Sequence, residues 1–413
     1  MTNLRRSAAK RLMRGIATPG VTGEFCRFGL HRAGYEAYEV RSVEGKPSDR
    51  LPPVFPESKN EVAAPQPLGA AKEVLTEELS AVSPMVYRQI KGRPGSSIFR
   101  HKRSILLPHD MFSHLKHVRL EDQYETCLAN GSHFVLVREA TEKIDKGVCA
   151  FAQGDYNWYH WLAEVLPKVL LSQNLPSEFD QYPLLVPEAA LEIPSFRHSL
   201  DLCRGSRDVV PLRKSQLYEF GELVYIPPQV SGPFNMKDGL WPEPRHYLHN
   251  IGVVQSLRET ILRKLDISRN NDSPKRVFLA RPTSARSYNQ DEILAAAQER
   301  GFVPVRPEKL SFREQVQLMH NADYVAGPTG AAFSNTLFMR PESRCLIWAL
   351  KEYSGACFFS NLAHAANVDM LYCFVESESP ITNTHEAFLA SYTLPVEVFH
   401  NHVDAMLQGS AQV

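Results

Sequence analysis

The chain has 413 residues, 43% hydrophobic and 22% charged, which is an ordinary globular composition with length enough for two domains. Lys and Arg together number 46, as do Asp and Glu, so no overall field favours binding to nucleic acid. No apolar run approaches the roughly 20 residues of a membrane-spanning helix. We therefore expect neither an integral membrane protein nor a secreted one.

The seven cysteines are scattered and form no C-x-x-C pair. This spacing argues against a disulfide framework and against a zinc ribbon. We expect reduced thiols and a cytoplasmic protein.

The N-terminal stretch "LRRSAAKRLMRGI", residues 4–16, is basic and amphipathic. It places Leu4, Ala8, Leu12 and Ile16 on one helical face, with arginines and a lysine over the rest. This pattern predicts peripheral contact with an anionic membrane such as the inner membrane. A solvated terminal helix is the alternative.

Residues 45–69 are rich in proline, which removes the backbone donors that helices and central strands need. We expect an extended arm or linker. Between about Ser96 and Cys149, the runs "SILLP", "HVRL", "HFVLVRE" and "GVCAFA" predict strands. A helix over 157–172, a strand at "YPLLVP", a helix near 195–203 and a strand at "ELVYIP" then indicate an α/β layer.

The segment 243–265 carries apolar residues at helical spacing and predicts a connecting helix. Beyond it, the strands "RVFLA", "FVPVR", "DYVAG", "RCLIWAL" and "MLYCFV" alternate with helices, typical of a parallel, doubly wound sheet of Rossmann type. A C-terminal helix is expected to pack back on the other lobe.

The predicted fold is α/β, with two Rossmann-like lobes facing a cleft and a strand-rich N-terminal extension. The predicted divisions are 1–70 for the basic helix and arm, 71–242 for an acceptor-side lobe, 243–268 for the connecting helix, 269–390 for a nucleotide-sugar lobe and 391–413 for the C-terminal helix.

Three turns at the carboxyl ends of predicted strands carry candidate ligand groups. After "VFLA" come Arg281 and Arg286, two guanidiniums that can neutralise a diphosphate, with Asn289 nearby. A solvated polar loop is the equal alternative.

The other two turns are "VAGPTGAA" and "VRPEKLS". The first turn contains Gly327, Thr329 and Gly330, precedes a helix at Ala331 and predicts an anion site. The alternative is a turn that only connects a strand to a helix. In the second, Glu308 follows a strand and is suited to ribose hydroxyls, or is surface charge.

The helix over 157–172 combines a core face with a polar stripe. Asn157, His160 and Glu164 share one face, and Trp158 and Asp155 lie at its start. This pattern suits general base chemistry. The alternatives are a core histidine hydrogen-bonded to Glu164, which composition alone favours, and a metal site, for which no third ligand is evident.

Several motifs together resemble glycosyltransferase family 61, in its bacterial branch linked to capsular and surface polysaccharides. "NWYHWLAEVLPKVLL" is similar to that family's N-x-x-H-W-x-x-E-x-L-P-[RK] helix. "VFLARPTSARSYNQDEI" and the segment from "GFVPVRPEKLSFREQ" to "GPTGAAFSNTLFMRPE" resemble its R-x-x-x-x-R-x-x-N-E, P-E-x-L-S-x-x-E-Q and G-P-H-G-A-x-x-x-N-x-L-F motifs in the same order.

The resemblance implies a GT-B architecture, an inverting mechanism and a nucleotide sugar held mainly by the C-terminal lobe. Asn157, His160 and Glu164 would face the cleft from the acceptor lobe. By position, the implied donor-site residues are Arg281, Arg286, Asn289, Glu308, Gly330, Ala331 and Asn335.

Two positions depart from the pattern. Gln290 stands where the family often has glutamate, and Thr329 where many members have histidine. Threonine keeps a hydroxyl donor but carries no positive charge, so donor preference or activity is in question.

The predicted function is transfer of a sugar from a nucleotide sugar to a hydroxyl of a glycan or glycolipid acceptor. His160 is the first candidate base, and Glu164 or Asp155 is the second. No D-x-D triplet is present, so we expect metal independence and no cofactor beyond the donor. A non-catalytic nucleotide-sugar or glycan binding module and a metal hydrolase are the alternatives.

Overall fold

The computed structural model describes residues 12, 20–42, 49–107, 128–130, 133–137, 139–230, 241, 243–244, 247, 249–270, 273–282, 287–382, 386–387 and 390–409. Its strands are β1 (Tyr35–Ser42), β2 (Asp49–Arg50), β3 (Ser58–Ala63), β4 (Gln66–Pro67), β5 (Val74–Leu79), β6 (Met85–Gly92), β7 (Phe99–His101), β8 (Ser104–Leu107), β9 (Leu128–Asn130), β10 (His133–Val137), β11 (Thr141–Cys149), β12 (Leu184–Pro187), β13 (Val209–Leu212), β14 (Leu217–Tyr225), β15 (Arg276–Leu279), β16 (Val303–Val305), β17 (Tyr324–Pro328), β18 (Arg344–Leu350) and β19 (Asp369–Val375).

Its helices are α1 (Val21–Arg32), α2 (Trp158–His160, Trp161–Val165 and Leu166–Leu171 in succession), α3 (Ala189–Glu192), α4 (Pro194–Cys203), α5 (Ile251–Lys264), α6 (Gln290–Gln298), α7 (Phe312–Asn321), α8 (Phe358–Ala365) and α9 (Val396–Gln408). Short 3₁₀ segments span Ser172–Asn174, Ser177–Phe179, Pro307–Lys309, Ala331–Phe338 and Lys351–Tyr353. The predicted α/β class with parallel strands is confirmed.

The N-terminal sheet is mixed. Its parallel block has the order β13-β12-β11-β14, and β6 then pairs antiparallel to β14. Beyond β6 follow β7, β8, β1, β10 and β9, and β2 pairs with β6 off this path. Within the parallel block, the chain direction across the sheet reverses between β11 and β14, which makes this a topological switch point.

The C-terminal sheet is parallel throughout, with the order β16-β15-β17-β18-β19-β4. Its five main strands are the five predicted from apolar runs. The inner strands β17 and β18 are mostly buried, as strands covered on both faces are, whereas the edge strand β16 is largely exposed. Their order is that of a flavodoxin-like doubly wound sheet, with the switch point between β15 and β17.

The predicted proline-rich arm is extended and packs on the body of the protein. Strands β3 and β5 pair as an antiparallel ribbon, and β4 adds to the edge of the C-terminal sheet beside β19. Pro67 is tolerated there because an edge strand leaves one row of donors unused. The arm therefore contacts both sheets, because its strand β2 pairs with β6 of the N-terminal sheet and its strand β4 pairs with β19 of the C-terminal sheet.

One apolar core contacts both sheets. It contains Val148 beside β12 and Val277 of β15, together with Val254 and Leu257 of the connecting helix. This helix begins at Ile251, later than predicted, because Asn250 caps it by accepting a hydrogen bond from the Val253 N–H at 3.2 Å.

The C-terminal helix α9 packs on the C-terminal sheet, and the predicted packing on the other lobe is wrong. Phe399, Val403 and Met406 lie in a core with Phe278 and Trp348. The apolar spacing of α9 shows that one face is buried but not which sheet covers it.

Two predicted segments lie outside the described residues: the basic stretch 4–16 except Leu12, and the strand "HVRL". Among the described residues, no helix is both long and apolar enough to cross a membrane.

Candidate active site

The helix that carries His160 follows β11, at the switch point of the N-terminal sheet. Asn157 caps it, since its Oδ1 accepts a hydrogen bond from the Tyr159 N–H at 2.9 Å. The middle of α2, Trp161–Val165, is π-helical. Pro167 explains this, because its ring lacks a donor and crowds the carbonyl one turn earlier.

His160 and Glu164 form a close pair on this helix. The distance from His160 Nδ1 to Glu164 Oε1 is 2.7 Å, and the two side chains are 17% and 19% exposed. With Nδ1–H donating to the carboxylate, a neutral imidazole presents Nε2 as a proton acceptor. The predicted hydrogen bond between them is therefore present.

The pKa of His160 reflects two opposing effects. Burial lowers it, but the Glu164 carboxylate raises it through its charge and its hydrogen bond, and the net pKa lies above the ordinary histidine value. The pair thus favours a histidine that holds a proton readily.

Gly154 allows the imidazole of His160 to pack against the backbone. The φ of Gly154 is +74°, and a Cβ there would lie 2.6 Å from His160 Cδ2, well inside van der Waals contact. The ring of His160 therefore packs directly on the backbone of the loop that precedes the helix, which only glycine allows.

Asp155 is buried beneath this loop, with 1% of its surface exposed. Its carboxylate accepts hydrogen bonds from the N–H groups of Gly95 at 2.8 Å and Ala152 at 3.4 Å. Burial raises the pKa of Asp155 to about 6, although both hydrogen bonds act in the opposite direction. This arrangement favours a role in holding the loop over the predicted role as a direct base.

A buried series of hydrogen bonds, from Asn361 through His249 to Tyr159, also holds the start of α2. Asn361 Nδ2 donates to His249 Nδ1 at 2.8 Å, so His249 Nε2 carries the proton directed at Tyr159 Oη, 3.2 Å away. Burial lowers the pKa of His249 to about 4. Sequence patterns did not reveal these hydrogen bonds, because the bonded partners are 90 and 112 residues apart.

On the C-terminal sheet, Arg281 follows β15 and Gly330 follows β17, the two strands at the switch point. A Cβ at Gly330 would lie 3.7 Å from Arg281 Nη2, so the guanidinium lies against this turn. Burial lowers the pKa of Arg281, and the hydroxyls of Tyr392, Tyr288 and Tyr353 act in the opposite direction.

The predicted glycine turn leads into a 3₁₀ segment, Ala331–Phe338, and the predicted α-helix is wrong. Ser334, Asn335 and Thr336 are poor helix formers, and Thr336 Oγ1 bonds back to the Phe333 carbonyl at 2.7 Å. Within the turn, Thr329 donates its backbone N–H to the Trp348 carbonyl at 2.8 Å. Gly327 is required by close approach, since a Cβ there would lie 3.0 Å from the Leu279 carbonyl oxygen.

Gln290, which stands where the family motif often has glutamate, contacts the backbone of the site residue Arg281. Its Oε1 accepts a hydrogen bond from the Arg281 N–H at 2.7 Å, and its Nε2 donates to the Arg281 carbonyl at 3.1 Å. A glutamate would make the first bond but, when ionised, not the second. The amide thus holds the backbone of Arg281 from both sides.

A hydrogen bond joins α2 to the 3₁₀ segment after the glycine turn, between residues 177 positions apart: Trp158 Nε1 donates to Asn335 Oδ1 at 2.8 Å. Asn335 is buried and donates in turn to Gln315 Oε1 at 3.1 Å. Both polar ends of the Asn335 side chain are occupied, so these contacts favour a bridging role over direct donor binding.

The other predicted donor residues are more dispersed. Asn289 exchanges hydrogen bonds with the backbone of Leu394, at 2.9 Å in each direction, and so anchors the segment before α9. Glu308 is exposed on a 3₁₀ turn, and Ala331 is partly buried in the core. Arg286 lies outside the described residues.

The structure thus places Asn157, Trp158, His160 and Glu164 together at the start of α2, and it places Arg281, Thr329 and Gly330 in the turns after β15 and β17. Among the described side chains, no group of three His, Cys, Asp or Glu could hold a metal ion.

A family model described as Glycosyltransferase 61 matches residues 158–346, somewhat less than half of the chain. The match begins at the first residue of α2 and ends within β18, so it includes His160, Glu164, Arg281 and Gly330. A search of curated proteins finds no match for this chain. The similarity supports a glycosyltransferase as the class of protein.

Proposed function

We propose that this protein is an inverting, metal-independent glycosyltransferase of family 61. It transfers a hexosyl or pentosyl group from a nucleotide sugar to a hydroxyl of a glycan or glycolipid acceptor. The family match over residues 158–346 supports the activity. We further propose a cytoplasmic role in surface polysaccharide biosynthesis, in the manner of the capsule-linked bacterial branch that the motifs resemble.

The observation that carries the proposal is the position of the candidate groups in the two sheets. The loop to His160 leaves β11 and the turn to Arg281 leaves β15, and each strand borders a switch point. Ligands of open α/β sheets bind in the crevice at such points. We infer a GT-B arrangement, with the two sheets as lobes and the site between them, where Trp158 meets Asn335.

The donor diphosphate is assigned to the turns after β15 and β17. Arg281 supplies a positive charge in a half-buried setting, where it stabilises an anion more strongly than in water. Thr329 supplies a hydroxyl, and the glycines permit close approach of the ligand to the backbone. These groups stabilise the charge that develops on the leaving phosphate.

The acceptor is assigned to the side of α2. As the acceptor oxygen bonds to the anomeric carbon, the bond from that carbon to the phosphate oxygen breaks and the electron pair leaves with the nucleoside diphosphate. His160 Nε2 takes the acceptor proton, and Glu164 stabilises the imidazolium that forms. Since the base must be neutral, activity increases as the pH rises through the pKa of His160.

The test is a transfer assay with a panel of nucleotide sugars and a mixed glycan acceptor, with and without a chelator. We expect one donor to be consumed, with slower hydrolysis when acceptor is absent and no effect of the chelator. Donor binding without turnover would indicate the non-catalytic module, and loss of activity with the chelator would contradict metal independence.

A further inference from the structure

Helix α1 has a fixed orientation on the protein. Leu30 is 0% exposed and Cys26 is also buried, and both pack against Tyr35 at the start of β1. The opposite side of the helix is therefore held outward.

That outward side carries Phe25 and Phe28, which are 70% and 60% exposed. Their spacing of three residues places both rings on the same face of the helix. No other large apolar side chain of the described residues is as exposed. Two adjacent exposed phenylalanines on a short helix indicate a surface that contacts another phase or molecule.

Around this aromatic pair, arginines outnumber the single acidic residue of the helix, Glu24. Arg27 and Arg32 are exposed on the same helix, and the guanidinium of Arg32 lies 5.7 Å from the centre of the Phe28 ring. Residues 1–32 contain seven Lys or Arg and one acidic residue, whereas the whole chain has a formal charge of zero. The charge of the chain is thus strongly polarised toward this end.

The contact of Leu12 changes the interpretation of the basic stretch before α1. A Cβ at Gly29 would lie 3.1 Å from a methyl of Leu12, so Leu12 packs against α1 and joins its apolar cluster. Leu12 belongs to the face that the sequence predicted to meet a membrane. Leu12 is partly buried against α1, and the other residues of that face lie outside the described residues, so membrane contact of residues 4–16 stays a prediction.

We propose that the Phe25–Phe28 face of α1, with Arg27 and Arg32, binds the surface of an anionic lipid bilayer. The rings enter the boundary between headgroups and acyl chains, and the guanidiniums bond lipid phosphates. This combination of aromatic side chains and surrounding cations matches a negatively charged surface with an apolar interior. The inference does not depend on the proposed enzymatic activity.

The experiment is sedimentation of the full-length protein with vesicles made of equal parts phosphatidylglycerol and phosphatidylcholine, compared with phosphatidylcholine alone. We expect binding to the anionic vesicles that weakens as salt is added. F25S/F28S should lower the partition coefficient on the order of tenfold or more. R27Q/R32Q should lower it for anionic vesicles only.

V74S/L75S is the matched control, because Val74 and Leu75 are also exposed apolar neighbours, on β5, and should leave the partition unchanged. Equal sedimentation of F25S/F28S and the wild type, or no binding of the wild type at low salt, would overturn the proposal. So would a wild-type dimer that F25S/F28S converts to a monomer in light scattering, since the face would then join two copies.

Discussion

The turns after β11 and β15 occupy equivalent places in their sheets, yet they hold their candidate groups in different ways. After β11, the reactive side chains hold each other, with His160 bonded to Glu164 and its ring packed on Gly154. After β15, Gln290 hydrogen-bonds to the backbone of Arg281. Neither of these bonds involves the guanidinium. The comparison suggests proton chemistry at the first turn and anion binding at the second.

The largest expected effect is on the first turn. His160→Ala should lower turnover by about 10²- to 10⁴-fold, the usual contribution of a positioned general base, while nucleotide binding remains. Steady-state transfer rates measure this, with circular dichroism as the control for folding. Turnover near the wild-type rate would exclude His160 as the base.

Gly154→Ala should disturb the same imidazole without removing it. The new Cβ would collide with the His160 ring, so activity should fall along with stability. Gly69→Ala is the matched control, since Gly69 has a similar φ of +80° and no neighbour within 4 Å. The left-handed backbone should cost both variants roughly 1–2 kcal/mol of unfolding free energy, and the collision should add to this cost in Gly154→Ala alone, as measured in urea. If both variants kept full activity, the packing of His160 on Gly154 would not matter for function.

Gln290 tests the second turn. Gln290→Ala removes both hydrogen bonds to Arg281 and should weaken nucleotide binding by about tenfold, and Gln290→Glu, which keeps one of them, should weaken it less. Gln298→Ala, an exposed glutamine on the same helix, serves as the control in calorimetry. The positioning role is wrong if Gln290→Ala binds as tightly as that control.

The smallest expected effect is a shift in pH dependence. In Glu164→Gln, the carboxylate charge that most raises the pKa of His160 is lost and only the smaller effect of Asp155 still opposes burial, so the pKa should fall. The acid limb of the rate profile should then move to lower pH, together with a lower maximal rate. An acid limb that stays in place would mean that another group controls it.

The sequence predicted secondary structure well where a single periodicity of apolar residues dominates a segment. The strands from β15 to β19 are short apolar runs, and their positions agree with prediction. The order of strands in the sheet was harder to predict, because periodicity shows which face of a strand is buried but not which strand pairs with it. The edge strand β4, formed by Gln66 and Pro67, depends on pairing with β19 some 300 residues later, and no local pattern indicates it.

The site was predictable only in part, for a related reason. The spacing of His160 and Glu164 indicates their contact because residues four apart on a helix are neighbours. The bonds from Trp158 to Asn335 and from Gln290 to Arg281 depend on tertiary packing. Asn289 and Asn335 fitted donor motifs in sequence, yet their amides bond to other parts of the protein.

The central claim is that one site has a base on one side and an anion-binding group on the other. Calorimetry of the wild type, Arg281→Ala and His160→Ala against UDP, GDP, CDP, ADP and TDP tests it most directly. We expect one nucleotide to bind the wild type and His160→Ala alike and to lose its affinity for Arg281→Ala. Equal binding to Arg281→Ala, or no binding of any nucleotide to the wild type, would contradict the claim.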